Sequence, residues 1–127
     1  MKDIVTKDAP AAIGPYSQAI RAEDLVFLSG QIPLDPVTGQ IVPGNVIAQA
    51  EQVLKNLRAV LAAASCTFSN VVRTTIYLVD LAHFNAVNDV YARHFVPPYP
   101  ARVTIQVAAL PRGALVEIDA IATTALR

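Results

Sequence analysis

Only two stretches of this 127-residue chain place apolar residues at the three- and four-residue spacing of an amphipathic helix. The first follows Asn45, a good N-cap residue, and its apolar stripe ends near residues 64–66. The second follows Asp80 and should end before Pro97-Pro98. Its apolar positions are Phe84, Val87, Tyr91 and Phe95. Two helices can cover only one face of a sheet, which leaves the other face without a layer of its own.

The remaining patterned segments alternate apolar with polar residues or are rich in β-branched and aromatic residues, as strands are. They span residues 16–21, 25–29, 71–79, 102–107 and 115–123, with a short edge strand at 3–6. Segment 31–40 has turn chemistry, because its prolines fix φ and Gly39 accepts a positive φ. The sequence therefore predicts one α/β (α+β) domain over residues 1–127, with two helices on one face of a five- or six-stranded sheet.

Alternation within two of the strands separates a polar side from an apolar side. In segment 102–107, Val103, Ile105 and Val107 oppose Arg102, Thr104 and Gln106, and in the last strand Val116, Ile118 and Ala120 oppose Glu117 and Asp119. We expect the apolar sets to lie under the helices, and Arg102 and Glu117 to share the uncovered face. The apolar fraction of 54% is high for so small a chain, so part of that face should meet another copy of the protein.

Charge and motifs exclude several classes of function. Ten basic residues balance ten acidic ones, which predicts no nucleic-acid or anionic-lipid partner. We find neither a signal-like N-terminus nor an unbroken apolar run of membrane-spanning length, and expect a cytoplasmic protein with no membrane partner. No P-loop, GxGxxG, HExxH or CxxC motif is present, so we expect no cofactor and no metal. We interpret Cys66 as a buried structural thiol, and His83 and His94 as ordinary surface or helix-end residues.

Arg102 is the leading candidate for chemistry, because it follows the rigid run 97–101 and its guanidinium can grip a carboxylate with two parallel hydrogen bonds. A structural ion pair is the alternative. Glu117 lies among apolar neighbours, where desolvation tends to raise a carboxyl pKa, so it could orient or deprotonate a water or merely accept a structural hydrogen bond. Tyr16 could wall a pocket, and Gly30 would let a ligand approach the backbone. Asp119 is a weaker candidate, distinguished only by alternation.

Three separated motifs give the chain a resemblance to a known family. Residues 11–19 (AAIGPYSQA), 29–33 (SGQIP) and 100–102 (PAR) resemble the RidA/YjgF/YER057c family, and the likeness extends over essentially the whole chain. The resemblance implies a chorismate mutase-like fold, with a mostly antiparallel mixed sheet of about six strands and two helices on one face. It also implies a homotrimer with a central barrel and clefts between subunits.

The activity that this resemblance implies is hydrolysis of reactive enamines and imines, 2-iminobutanoate and 2-iminopropanoate/2-aminoacrylate, to 2-oxo acids and ammonia. In the family pattern Arg102 corresponds to the arginine that binds the substrate carboxylate, and Glu117 to the acid that places the attacking water. Tyr16, Gly30 and Asn88 match pocket residues. Phe84 is expected to line the same cleft, and backbone groups near Thr104 to help orient the imine.

The chain departs from the family pattern at Val103-Thr104, where Ser-Cys is frequent, so any contribution of that thiol is missing here. Three other functions stay open. They are deamination of a larger enamine such as 2-aminomuconate, non-catalytic binding of a small carboxylate by a chaperone-like trimer, and endoribonuclease activity, against which the zero net charge argues.

Overall fold

The computed structural model describes residues 1–125, which form eight regular elements and three single 3₁₀ turns. The strands are β1 (Lys2–Ile4), β2 (Ala19–Ala22), β3 (Leu25–Gln31), β4 (Val71–Leu78), β5 (Ala101–Gln106) and β6 (Val116–Thr123), and the helices are α1 (Val46–Ala63) and α2 (Phe84–Ala92). The 3₁₀ turns are Phe68–Asn70, Leu81–His83 and Pro111–Gly113.

The six strands form one mixed sheet in the order β1-β2-β3-β6-β4-β5. All neighbours pair antiparallel except β4 and β5, which are parallel and connected through α2. A parallel pair needs a crossover of this kind, because a short hairpin cannot return the chain in the same direction. The predicted mostly antiparallel mixed sheet of about six strands with two helices is confirmed.

The core lies between α1 and one face of the sheet. Asn45 caps α1 as predicted, since its side chain accepts hydrogen bonds from the backbone N–H groups of Ile47 and Ala48. The helix ends at Ala63, close to the predicted end. Its buried stripe contains Val53, Leu54, Leu57, Val60 and Leu61, which pack with the inward residues of β3, β4 and β6. Each such side chain contributes about 1.5–3 kcal/mol when it is fully buried.

Some predicted boundaries are wrong. Strand β2 begins at Ala19 instead of residue 16, because Gln18 donates its side-chain amide to the carbonyls of Thr6 and Pro10 and so holds this stretch as a loop. The edge strand covers Lys2–Ile4 instead of 3–6.

Helix α2 also departs from the predicted bounds. Asp80 caps the 3₁₀ turn Leu81–His83, which leads directly into α2, and the helix ends at Ala92. Phe95 lies beyond the helix yet is buried, because its ring stacks on Tyr91 at a centroid distance of 4.2 Å.

The structure shows the surroundings of the single cysteine and the length of the helices. Cys66 is buried, and this burial raises the pKa of its thiol, as expected for a structural cysteine. Within residues 1–125, neither helix is both long and apolar enough to span a bilayer.

Candidate functional site

The strand register assigns the two leading candidates, Arg102 and Glu117, to opposite faces of the sheet. Arg102 pairs with Thr74, which is buried beneath α2, so both side chains lie on the face that the helices cover. Glu117 pairs with Tyr77, which also pairs with Ile105, and these three side chains lie on the uncovered face. The prediction that Arg102 and Glu117 share the uncovered face is therefore wrong.

The error comes from β5, the edge strand of the sheet. Alternation identifies two sides of a strand but does not say which side meets the helices. In β5 the polar side faces α2, while Val103 and Ile105 face outward with 38% and 40% of their surface exposed. The apolar side of β5 is thus the uncovered one, opposite to its arrangement in β6.

On the helical face, Arg102 lies against one side of α2. Its Nη1 donates a hydrogen bond of 2.8 Å to Oδ1 of Asn88. Its guanidinium carbon lies 4.9 Å from the ring centre of Tyr91 and 5.7 Å from that of Phe84. A cation within about 6 Å of an aromatic face is attracted to it. Arg102, Asn88 and Phe84, three predicted site residues, are therefore brought together.

A cleft of about 520 Å³ opens beside the guanidinium. Its lining residues are Asn88, Tyr91, Ala92, Tyr99, Pro100 and Arg102. Within residues 1–125, Arg102 makes one hydrogen bond with its guanidinium, which leaves further N–H groups for a ligand. A planar anion such as a carboxylate suits these donors, and the aromatic walls suit an apolar substituent.

Thr104 lies on the same face as Arg102, two residues further along β5. Its Oγ1 is buried and has no hydrogen-bond partner within the described residues. The two histidines lie at the ends of α2. Nδ1 of His83, at the start of the helix, is also buried without a hydrogen-bond partner among residues 1–125, and His83 is a partly buried helix-end residue. His94 lies just beyond α2, where Nε2 is 3.3 Å from Oε2 of Glu51.

On the uncovered face, the carboxyl group of Glu117 lies directly over Gly30. A Cβ built on Gly30 would be 2.9 Å from Cδ of Glu117 and closer still to Oε2, so only glycine leaves room for this carboxylate. Burial raises the pKa of Glu117, and the negative charge of Asp119 raises it further. Gly30 and Glu117, two predicted site residues, form a second local group.

Tyr16 belongs to neither group through a direct contact. Tyr16 is 54% exposed in the loop before β2, and its hydroxyl accepts a hydrogen bond from the backbone N–H of Ile13 at 3.4 Å. This loop is tied to the end of β3, because Ser29 donates its hydroxyl to the carbonyl of Ser17 at 2.6 Å. Tyr16 is thus near Gly30 in the fold, beside a separate cleft of about 500 Å³.

Sequence reasoning missed two aromatic residues of the Arg102 cleft, Tyr91 and Tyr99. Tyr91 was identified only as a member of the apolar stripe of α2. Its spacing from Asn88 and Phe84, three and seven residues, puts all three on one side of the helix and could have indicated the site. Tyr99 carried no such signal. Among residues 1–125, no three His, Cys, Asp or Glu side chains form a group that could hold a metal ion.

The chain is similar to known proteins over nearly its whole length. The family model described as Endoribonuclease L-PSP matches residues 6–124. The Myxococcus xanthus protein DfrA is 58% identical over 97% of this chain and 95% of its own length. A Mus musculus protein named 2-iminobutanoate/2-iminopropanoate deaminase is 54% identical over 95% of this chain and 90% of its own length.

A solved structure agrees with the fold. The crystal structure of TdcF from E. coli with bound serine superposes with a TM-score of 0.91 at 41% identity, covering 97% of this chain and 98% of that one.

Proposed function

The chain belongs to the endoribonuclease L-PSP family, which includes the RidA/YjgF/YER057c proteins, and on that premise we propose that it hydrolyses 2-iminobutanoate and 2-iminopropanoate to 2-oxo acids and ammonia. The relative from Mus musculus, named for this activity, shares 54% of the aligned residues. The observation that carries the proposal is the half-buried guanidinium of Arg102, fixed by Asn88 beside an open cleft.

Arg102 binds the carboxylate that every substrate of this class carries. The hydrogen bond to Asn88 and the ring of Tyr91 restrict the guanidinium before substrate arrives, so little side-chain entropy is lost on binding. The serine bound to TdcF carries the same carboxylate, which supports a small amino-acid-like ligand.

In the proposed reaction, Glu117 positions the attacking water and transfers protons. An imine carbon is already electrophilic, so hydrolysis needs a positioned water and a group that moves protons. Its half-buried carboxyl, with a raised pKa, can hold a proton nearer neutrality than an exposed glutamate does. Gly30 has no Cβ atom that would occupy the space of this carboxyl group.

Because Arg102 and Glu117 lie on opposite faces of one sheet, one copy cannot present both to a small substrate. We propose that a complete site contains Arg102 of one subunit and Glu117 of a neighbour, in a homotrimer like that which the family resemblance implies. The exposed apolar residues of the uncovered face, Leu25, Phe27, Val103 and Ile105, support such contacts. Tyr16, Phe84 and Thr104 complete the proposed cleft. We also propose a cytoplasmic location, where a lone cysteine stays reduced.

The test is the release of 2-oxo acid and ammonia when purified protein meets 2-iminobutanoate generated by a threonine dehydratase. We expect acceleration over the uncatalysed rate. We expect Arg102→Ala to lose about 100-fold or more in kcat/KM, since two charge-assisted hydrogen bonds disappear. Arg93→Ala, which removes an exposed arginine paired with Glu51, is the matched control and should keep full activity.

Two outcomes would contradict the proposal. A well-folded oligomer that does not accelerate 2-oxo acid release is not a deaminase of these substrates, and the larger enamines are then assayed next. Equal activity of Arg102→Ala and Arg93→Ala would remove Arg102 from the site.

A further inference from the structure

The uncovered face holds a second carboxylate that the proposed mechanism does not use. Asp119 follows Glu117 by two residues on β6, so their side chains leave the same face about 7 Å apart along the strand. The Tyr77 hydroxyl donates a 2.8 Å hydrogen bond to Oδ2 of Asp119. Tyr77 is itself the register partner of Glu117, so its side chain reaches diagonally from one carboxylate to the other.

Within one subunit, Asp119 is the charged group beside Glu117, and in the proposed trimer Arg102 of the neighbouring subunit faces the same site. On β3 the facing residue is Gly30, and on β5 the same-face residues are Val103 and Ile105, which carry no charge. On β4 the same-face residues are Thr75, Tyr77 and Arg73. Arg73 pairs with Ile121, which lies two residues past Asp119 on β6, so Arg73 is farther along the sheet from Glu117 than Asp119 is. Among residues 1–125, these are the groups that the sheet neighbours of Glu117 present to it.

We propose that Asp119, fixed by the Tyr77 hydroxyl, is a positioning residue whose negative charge acts on Glu117, so that Glu117 can both accept and return a proton during imine hydrolysis. This inference rests on the proposed function and assigns to Asp119 and Tyr77 a role that the reaction alone does not reveal. Neither residue needs to touch substrate.

The reaction needs a proton to move twice. A water proton goes to the Glu117 carboxylate while the water oxygen bonds to the imine carbon, and the nitrogen takes up a proton from solvent. The carbinolamine then collapses: its hydroxyl proton is lost to solvent, the C–N bond breaks, and Glu117 returns its proton to the departing ammonia. A group that works in both directions is most effective when its pKa lies near the operating pH.

The electrostatics of this face agree with that requirement. Burial raises the pKa of Glu117 first, and the Asp119 charge adds to the shift. The hydrogen bond to Asp119 raises the pKa of Tyr77, so the tyrosine remains a protonated donor. Because a negative neighbour disfavours ionisation of Glu117, removal of the Asp119 charge should lower the pKa of Glu117.

The experiment compares Asp119→Asn with Asp24→Asn. The first keeps an oxygen that can accept from Tyr77, and the second makes the same change of charge at an exposed residue beside the far end of β6. The pH dependence of kcat/KM is measured for both, and the limb that Glu117 governs is the one whose midpoint matches the titration of the Glu117 carboxyl group. We expect Asp119→Asn to move this limb to lower pH and Asp24→Asn to leave it in place.

A second measurement does not depend on activity. The chain has three glutamates, Glu23, Glu51 and Glu117, so ¹³C labelling of glutamate carboxyls gives three signals, and Glu117→Gln assigns one of them. The Glu117 signal should titrate at lower pH in Asp119→Asn than in the unmodified protein. If the unmodified protein hydrolyses no imine, the proposed function fails, while this titration still decides whether Asp119 acts on Glu117.

Tyr77→Phe supplies the independent variant, and it keeps the ring in place. Without the hydroxyl dipole, the Asp119 charge is less compensated, so the Glu117 signal should titrate at higher pH than in the unmodified protein. An unchanged Glu117 titration in both Asp119→Asn and Tyr77→Phe would overturn the proposal. So would an equal shift in Asp119→Asn and Asp24→Asn, because that would be a non-specific effect of net charge.

Discussion

At the residue scale, the tightest fit on the uncovered face is between Gly30 and the carboxyl group of Glu117. The φ angle of Gly30 is not in the left-handed region, so the backbone does not demand glycine there. Glycine is favoured at this position for lack of space, because a Cβ atom on residue 30 would overlap the Glu117 carboxylate. Gly30 therefore leaves the space that the carboxylate occupies.

We predict that Gly30→Ala lowers the free energy of unfolding by about 1 kcal/mol, the low end of the usual cost of overpacking, because the end of the Glu117 side chain can shift. Where a Cβ fits without strain, glycine-to-alanine changes are neutral or slightly stabilising. In the Glu117→Ala background the cost should therefore disappear. Urea unfolding of the two single variants and the double variant, at one protein concentration, measures this coupling. Additive effects in the double variant would contradict the overlap.

The sequence identified most of the candidate residues but not their relative positions. Arg102, Asn88 and Phe84 meet as the family resemblance implies, because they lie on one side of α2 and the strand beside it. The opposite placement of Glu117 could not be predicted from alternation, since an edge strand can turn either side to the helices.

At the scale of elements, α1 depends on its N-cap. The Asn45 side chain accepts from two backbone N–H groups that have no intrahelical partner. We predict that Asn45→Ala lowers the free energy of unfolding by about 1 kcal/mol. Asn45→Ser, which keeps a capping oxygen, is the control and should lose much less. Thermal or urea unfolding provides the measurement, and equal losses in both variants would show that the cap contributes nothing.

Elements set by local sequence were predicted well, and those set by distant contacts were not. Helix α1 follows its periodicity and its cap, so both ends were predicted closely. Beyond the early end of α2, Phe95 stacks on Tyr91 and contacts Phe68 edge to face. The late start of β2 depends on the hydrogen bonds from the Gln18 side chain to the carbonyls of Thr6 and Pro10. Such contacts join residues that no local pattern relates.

At the scale of the whole molecule, the uncovered face of the sheet is the surface on which we propose that subunits meet. Its exposed apolar side chains lie on the two sides of the central strands β6 and β4, with Leu25 and Phe27 on β3 and Val103 and Ile105 on β5. An aliphatic and aromatic surface of this kind, interspersed with Glu117 and Asp119, is typical of a face between subunits.

We predict that Ile105→Glu converts the proposed trimer to monomers while the subunit fold is retained, because a buried unpaired charge at a subunit contact is costly. Val37→Glu is the matched control, since Val37 is 92% exposed in a loop and its replacement should leave the oligomer intact. Light scattering coupled to gel filtration gives the mass, and circular dichroism reports the fold. An Ile105→Glu protein of unchanged mass would exclude this face as the contact.

Complementation between two inactive variants tests most directly whether Arg102 and Glu117 of different subunits form one catalytic site. Arg102→Ala and Glu117→Gln carry different tags, are co-expressed, and are purified through both tags, so that each proposed trimer contains both variants. Around a ring of three, either composition leaves one intact site, and the mixed oligomer should show about one third of the unmodified deaminase activity. Activity no higher than that of the separate variants would contradict a shared site.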